Sequence, residues 1–285
     1  MRRGETVALV GESGCGKSTL GKCVVGLESV SGGAIRFGGT RIDTLRRGAR
    51  QGYARRIQMI FQDPLTSLNP RMKIGAILAE PLRNYRPELG PQEIRNEVAR
   101  LLRLVRMPVD SAERWPHEFS GGQAQRIAIA RALAPQPELI VCDEATSALD
   151  VSIKAQIVNL LQDLQAELGL ALLFISHDLG IVRSIAQRVA VMYRGTLVEL
   201  GPGDAVFGAP QHPYTRALLS AVLPPKPGAA PARQKLEGEL PSATARLSGC
   251  PFRSRCPEAQ PGCASESPAR SQASGAASSV SISWV

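Results

Sequence analysis

The stretch Gly11-Glu12-Ser13-Gly14-Cys15-Gly16-Lys17-Ser18-Thr19 matches the phosphate-binding pattern G-x-x-x-x-G-K-[ST] at every fixed position. The apolar run Thr6–Val10 precedes it and is typical of a buried strand, and a helix is predicted to begin at Lys17. Glycines let such a loop curl around phosphate oxygens and offer them N–H groups, and the helix dipole attracts the same anion. We therefore expect a phosphate site in which Lys17 reaches the β- and γ-phosphates and Ser18 ligates Mg²⁺.

A pair of carboxylates, Asp143 and Glu144, follows the apolar run at residues 139–142. Ligands bind at the carboxyl ends of strands in open α/β sheets, so this pair is well placed for chemistry. Asp143 is predicted to hold Mg²⁺ through water, and Glu144 to orient or deprotonate the water that attacks the γ-phosphate. A strand ending in two solvated acids would look the same, but the phosphate loop favours the catalytic interpretation.

A second anion site is predicted at Ser120-Gly121-Gly122-Gln123, where two glycines stand at a helix N-terminus. One chain does not need two such sites for one nucleotide. We therefore predict that this segment serves the ATP of another subunit.

The length and composition of the chain fit one large α/β domain with an accessory region, since it has 285 residues of which 44% are apolar. The sequence contains no apolar run of bilayer-spanning length and no secretory signal, so we expect a soluble cytoplasmic chain. The net charge of +9 fits a nucleic acid, an anionic membrane surface or simply a solvated basic surface.

Hydrophobic periodicity and turn signals predict the remaining elements. The predicted strands are at residues 57–61, 170–176, 188–193 and 196–200, with a hairpin at 31–43 that turns at Gly38-Gly39. The predicted helices are at residues 74–83, 91–106, 120–134 and 153–168. A linker is expected at residues 224–228, and a disordered tail rich in Ser, Ala and Gly from residue 265.

Together these motifs resemble the ATP-binding subunit of an ABC transporter. They occur in that family's order: the phosphate loop, Gln62, Ser120-Gly121-Gly122-Gln123, Asp143-Glu144, Ser147-Ala148-Leu149-Asp150 and His177. The resemblance implies that two subunits sandwich two ATP molecules, each between one subunit's phosphate loop and the other's S-G-G-Q. It also implies that Gln62 contacts Mg²⁺ and that His177 contacts the γ-phosphate.

The resemblance implies an α/β fold: a P-loop NTPase (RecA-like) core with an inserted helical subdomain, a C-terminal extension and incomplete N-terminal antiparallel strands. The implied ATP-binding core is residues 1–63 and 135–209, the helical signature subdomain 64–134, the extension 210–264 and the disordered tail 265–285. Members of the family carry further residues at the start, including an aromatic that stacks on adenine, so we expect this chain to bind ATP weakly.

Four segments resemble the ATPases of oligopeptide and dipeptide importers, a branch that includes nickel and glutathione importers. They are residues 57–70, 142–153, 212–215 (H-P-Y-T) and 249–257 (G-C-P-F-R-S-R-C-P). The resemblance implies ATP-driven peptide uptake at the cytoplasmic face of the plasma membrane. The implied partners are a second, non-identical ATPase, two permeases and a substrate-binding protein, without nucleic acid. The permease's coupling helix is expected in a groove near residues 65–82.

Three cysteines near the end of the chain, Cys250, Cys256 and Cys263, are close enough in sequence to ligate one metal or iron–sulfur centre. Related importer subunits carry a fourth cysteine further on, whereas no cysteine follows Cys263 here. The alternatives are a bound cluster and three free thiols.

Two other functions fit the nucleotide motifs. A soluble ABC-type ATPase acting on nucleic acid would insert coiled coils or zinc modules between Gln62 and Ser120, and the modest spacing argues against it. An inactive regulatory homologue would not need Lys17, Asp143, Glu144 and His177, all of which are present.

Overall fold

The computed structural model of the protein describes residues 1–220 and 248–266. These residues divide into two compact units. The first unit comprises Met1–Thr6 and Ser18–Ile175, and the second comprises Val7–Lys17 and the described residues from Ser176 onward. The strands are β1 (Thr6–Val10), β2 (Arg36–Phe37), β3 (Thr40–Arg41), β4 (Ile57–Ile60), β5 (Leu139–Asp143), β6 (Ala171–Ile175), β7 (Arg188–Tyr193) and β8 (Thr196–Pro202). The helices are α1 (Lys17–Val25), α2 (Arg47–Arg56), α3 (Pro64–Ser67), α4 (Ile74–Tyr85), α5 (Pro91–Leu104), α6 (Gly121–Leu133), α7 (Val151–Leu168), α8 (Leu179–Ile185), α9 (Gly203–Gly208) and α10 (Pro213–Ser220).

The first unit is built on the parallel strands β4, β5 and β6, which lie side by side in that order. The register pairs Ile60 with Cys142 and Asp143 with Ile175. Every residue of β5 and β6 is buried, because parallel strands are covered on both faces. The polar residues that follow these strands are therefore delivered to one edge of the sheet.

The helical section of the first unit packs α4 on α5 and both helices on α6. Helix α5 buries Ile94, Val98, Leu101 and Leu102, the face that the periodicity predicted. It ends at Leu104, two residues before the predicted end, and Arg106 then takes a left-handed φ of +58° that an α-helix does not allow.

The second unit contains residues Val7–Val10 of β1 paired in parallel with β7, and β7 paired antiparallel with β8, with a register shift between Val191 and Met192. Helix α9 packs on β7 and β8, and α10 packs on β8. The ring of Tyr193 lies with its centroid 4.7 Å from that of Tyr214 and 5.1 Å from that of Phe252. This aromatic cluster joins strand β7 to helix α10 and to the C-terminal segment.

The α/β fold and all the predicted elements are confirmed, with boundaries shifted by a few residues, and Gly38-Gly39 forms the turn between β2 and β3. Sequence reasoning missed α2, α3, α8, α9 and α10. Helix α2 is rich in arginine and has little apolar periodicity to detect, and the other four have eight residues or fewer. The predicted linker and residues 267–285 of the predicted tail lie outside the described residues. Within the described ranges, no helix is long and apolar enough to cross a membrane.

Candidate functional site

The phosphate loop connects β1 to α1 as predicted, and its first glycine is required by close packing. Gly11 has φ +154°, and a Cβ at this position would lie 2.2 Å from the carbonyl oxygen of Met192. No side chain fits there without moving backbone of strand β7. The loop is therefore held tightly against β7 at the point where it leaves β1.

Lys17 lies across this loop and is almost fully buried. Its Nζ donates hydrogen bonds of 2.9 Å to the carbonyl oxygens of both Gly11 and Glu12. It is also the first residue of α1, whose N-terminus carries a partial positive charge. The loop thus concentrates positive charge where a phosphate would bind.

The side chains of Ser18 and Asp143, predicted as magnesium ligands, meet in the first unit. The Ser18 hydroxyl donates a hydrogen bond of 2.8 Å to Asp143 Oδ1. Asp143 is the last residue of β5 and is buried, with 6% of its surface exposed. A hydroxyl and a carboxylate side by side form the oxygen ligand set that Mg²⁺ prefers, so these residues fit the metal that accompanies a nucleotide.

Glu144 follows Asp143 in a left-handed backbone conformation, with φ +48°. Its N–H donates to the Ile175 carbonyl at 3.0 Å, and its carbonyl accepts from the N–H and hydroxyl of Ser147. Positive φ is uncommon outside glycine, costs about 1–3 kcal/mol and occurs preferentially at functional sites. Arg106, Gln136 and Arg194 also have positive φ, so what distinguishes Glu144 is its place directly after Asp143 at the end of β5.

Gln62 lies two residues beyond the end of β4, as Glu144 lies two residues beyond Cys142. Because Ile60 pairs with Cys142, both residues leave the sheet at the same edge. Gln62 is exposed, and the following Asp63 caps α3 by accepting from the N–H groups of Leu65 and Thr66.

The S-G-G-Q segment forms the N-terminus of α6. Ser120 is the capping residue: its hydroxyl accepts from the Gln123 N–H, and the Gln123 side chain accepts from the Ser120 N–H at 3.0 Å. Ser120, Gly121 and Gln123 are exposed. The structure thus presents an accessible helix N-terminus, as predicted.

The turn Ser147-Ala148-Leu149-Asp150, one of the predicted family motifs, lies against this segment. A Cβ at Gly121 would lie 3.5 Å from Leu149 Cδ2, and one at Gly122 would lie 2.6 Å from Ile153 Cγ2. Asp150 stands at the N-cap position directly before α7. The structure therefore brings the turn and the S-G-G-Q segment together.

His177 is an exposed residue of the second unit, between β6 and α8. The next residue, Asp178, caps α8 by accepting from the Ile181 N–H at 3.2 Å. The structure thus places His177 in an exposed turn that the Asp178 cap connects to the start of α8.

The three C-terminal cysteines do not form a metal site in the part of the chain that the structure describes. There, no group of three or more His, Cys, Asp or Glu side chains is arranged to hold a metal ion. The Cys250 N–H donates to the Cys263 carbonyl at 2.9 Å, and burial raises the pKa of the Cys256 thiol. All three thiols are free, so the described residues do not support the iron–sulfur cluster.

Two residues at the phosphate loop were not predicted. The hydroxyl of Tyr214 accepts a hydrogen bond from the Glu12 N–H at 2.9 Å, and the guanidinium of Arg255 donates to both carboxylate oxygens of Glu12. In the sequence, the motifs that contain them indicate only an importer branch. They lie 202 and 243 residues from Glu12 in sequence, so no local signal connects them to the loop.

Comparison with known proteins agrees with this geometry: residues 1–147 match the ABC transporter family. The chain belongs to this family of ATP-binding subunits, as its motifs had indicated. Residues 198–263 match the C-terminal region of oligopeptide/dipeptide transporters. ATP binding and hydrolysis follow from family membership together with the intact nucleotide motifs.

Several curated relatives are similar over most of this ABC-family chain. The oligopeptide transport ATP-binding protein OppF of Escherichia coli (strain K12) is 54% identical over 267 residues, which cover 93% of this chain and 80% of the relative. OppF of Haemophilus influenzae (strain ATCC 51907 / DSM 11121 / KW20 / Rd) is 51% identical over 269 residues, with coverage of 93% and 80%.

Two solved structures of ATP-binding cassettes share the fold. The cbiO1 subunit of an ABC transporter complex from Clostridium perfringens has a TM-score of 0.66 and 31% identity, covering 73% of this chain and 80% of that one. The cassette MJ0796, solved as a dimer with ADP and Pi in a post-hydrolysis state, has a TM-score of 0.64 and 28% identity, with coverage of 71% and 87%.

Proposed function

We propose that this chain is the ATP-hydrolysing subunit of an importer that takes up oligopeptides or dipeptides. The observation that carries the proposal is the match of residues 198–263 to the C-terminal region of oligopeptide/dipeptide transporters. The names of the relatives at 51–54% identity support the same substrate class.

The proposed nucleotide site assigns phosphate binding to the loop from Gly11 to Thr19 and charge neutralisation to Lys17. Ser18, Asp143 and Gln62 would hold Mg²⁺, which supplies charge stabilisation at the phosphates when bound. The contact between Ser18 and Asp143 supports this ligand set directly.

Hydrolysis is proposed to depend on Glu144, which accepts a proton from the attacking water or orients it, and on His177, which contacts the γ-phosphate. Hydrogen bonds to the N–H and to the carbonyl of Glu144 hold its left-handed backbone conformation. The carboxylate is therefore carried by a backbone of defined position.

The S-G-G-Q segment is proposed to bind the ATP of a second ATPase subunit, with the turn at residues 147–150 beside it. The support is the exposed helix N-terminus at Ser120, which can offer N–H groups to an incoming phosphate. Residues 64–134 then act as the helical signature subdomain, between the core segments 1–63 and 135–209.

A cavity of about 400 Å³ in the first unit supports the proposed docking of a permease. It lies near the predicted groove at residues 65–82, and its lining includes Ser67, Glu80, Pro81, Asn84, Tyr85 and Arg131. Arg131 of α6 donates to the Ser67 carbonyl at the end of α3, and burial lowers the pKa of Arg131. This bond links the segment after Gln62 to the helix that begins with S-G-G-Q.

The proposed assembly contains a second, non-identical ATPase, two permeases and a substrate-binding protein, with this chain peripheral on the cytoplasmic face of the membrane and no nucleic acid. Cysteines introduced at Ser67 or Lys73 should crosslink to the permeases' cytoplasmic loops, with a yield that changes when ATP is added. Crosslinks confined to residues 198–207 would overturn the proposed docking site.

Transport itself is tested with the assembled importer in proteoliposomes. We expect ATP-dependent uptake of radiolabelled tripeptides, lost with Lys17→Ala and retained with Lys22→Ala, a lysine on the same helix outside the loop. Uptake of nickel or glutathione in place of peptides would refute the proposed substrate class and leave the ATPase assignment intact.

A further inference from the structure

Glu12, the second residue of the phosphate loop, is held by two separate parts of the C-terminal region. The Tyr214 hydroxyl of α10 accepts from the Glu12 N–H at 2.9 Å. The Glu12 carboxylate accepts from Arg255, with Nη1 at 2.8 Å from Oε2 and Nη2 at 3.1 Å from Oε1. Backbone and side chain of one loop residue are therefore fixed from outside the loop.

The bond between Arg255 and Glu12 has the features of a strong ion pair. It is bidentate, and the two side chains retain only 7% and 23% of their exposed surface. Hydrogen bonding to Glu12 raises the pKa of Arg255, so the guanidinium stays charged. Lysine offers a point charge in place of a planar fork and would not reproduce this geometry.

Both holding residues are themselves anchored by the aromatic cluster. Tyr214 and Phe252 are completely buried, with ring centroids 5.5 Å apart. The backbone N–H of Arg255 donates to the Phe252 carbonyl at 3.0 Å. This bond connects the backbone that carries the guanidinium to the aromatic cluster. Burial raises the pKa of the Tyr214 phenol, which stays protonated while its oxygen accepts from Glu12.

The position of Glu12 matters for two physical reasons. A carboxylate in an anion-binding loop repels phosphate unless a cation neutralises it, and Arg255 supplies that cation. The Glu12 carbonyl also accepts one of the hydrogen bonds from Lys17 Nζ. A change in the backbone conformation of Glu12 would therefore move one of the two carbonyl oxygens that hold Lys17 Nζ.

We propose that Arg255 and Tyr214 are positioning residues of the phosphate loop, and that they act by holding Glu12. They set the affinity for nucleotide phosphates without touching the nucleotide. This role rests on the proposed nucleotide site. It gives the C-terminal region a function in ATP binding that does not depend on which substrate the importer carries.

The test compares MgATP and MgADP binding to full-length variants by calorimetry. Arg255→Met removes the ion pair and keeps the stem, and Tyr214→Phe removes the acceptor oxygen and keeps the ring. We expect Arg255→Met to weaken binding of both nucleotides about 10-fold and Tyr214→Phe to weaken it by a smaller factor. The matched control is Arg253→Met, since Arg253 bonds to Ser248 and Ala264 within the C-terminal segment.

A Glu12→Ala background separates positioning from general destabilisation. The loss caused by Arg255→Met should disappear there, because its partner carboxylate is gone. The loss caused by Tyr214→Phe should persist, because its partner is the backbone N–H of residue 12. Thermal midpoints measured on the same samples report any loss of folded protein.

Three results would overturn the inference. These are equal affinities for Arg255→Met and Arg253→Met, an Arg255→Met loss that is unchanged in the Glu12→Ala background, and a Tyr214→Phe affinity equal to wild type. If Arg255→Met does not fold, Tyr214→Phe still decides the matter. Lys17→Ala separates a failure of this inference from a failure of the proposed nucleotide site, since unchanged binding by that variant would refute the nucleotide site itself.

Discussion

The two glycines of S-G-G-Q provide a matched pair of substitutions with different expected costs. A Cβ at residue 122 would lie 2.6 Å from Ile153 Cγ2, whereas one at residue 121 would lie 3.5 Å from Leu149 Cδ2. Carbon atoms in contact are normally about 3.5–4.0 Å apart. Gly122→Ala therefore requires a movement of about 1 Å, and Gly121→Ala requires none.

The magnitude follows from what Ile153 can do. Its Cγ2 is bonded directly to Cβ, so the methyl moves only if χ1 rotates or α7 shifts. Isoleucine in a helix occupies one χ1 rotamer about 90% of the time, so leaving it costs about 1 kcal/mol, and overpacking costs about 1–3 kcal/mol. Both variants exchange glycine for alanine in the first turn of α6, so the gain in helix propensity is similar.

We therefore expect Gly122→Ala to be less stable than Gly121→Ala by about 1–3 kcal/mol in urea unfolding of the full chain. In an Ile153→Ala background the difference should fall below about 0.5 kcal/mol, because the opposing methyl is gone. If the two alanine variants unfold at the same urea concentration, or if the difference survives in Ile153→Ala, packing against α7 is not the reason for glycine at residue 122.

Three further predictions concern catalysis, metal binding and pH. Glu144→Gln should lower phosphate release by the assembled transporter by about 10²–10⁴-fold while MgATP binding persists, and full-rate hydrolysis would exclude Glu144 as the base. Ser18→Ala should weaken binding of MgATP more than binding of ATP in EDTA, because it removes a hydroxyl beside Asp143; equal losses would show that Ser18 does not ligate the metal. Hydrogen bonding to Arg41 lowers the pKa of Asp43 from 3.8 to about 2, so its stabilising effect is complete above about pH 4 and is lost as the pH falls towards 2. The stability difference between wild type and Asp43→Asn should shrink over that interval, and a difference independent of pH would contradict the assigned pairing.

Much of the first unit could be predicted because its signals are local. The run before Asp143 is continuously apolar, as expected for a strand buried on both faces, and the run before Gln62 is interrupted only by the half-buried Gln58. The helix predicted from residue 120 is present, and Ser120 with Gln123 forms a capping box at its start. The missed helix α2 has the opposite character: its arginine-rich sequence contains no apolar stripe, and it packs on β4.

The amino-acid sequence by itself determined the phosphate loop, the acid pair, the S-G-G-Q segment and their assignment to an ABC-family ATPase, because each is a short motif whose chemistry depends on adjacent residues. Only the tertiary structure showed that Ser18 meets Asp143 and that Gly122 packs on Ile153. It alone connected Glu12 to Arg255, which lies 243 residues away and bears no local mark of that role. Contacts of this kind arise when separate elements pack together, and hydrophobic periodicity and motif spacing describe each element without describing its neighbours.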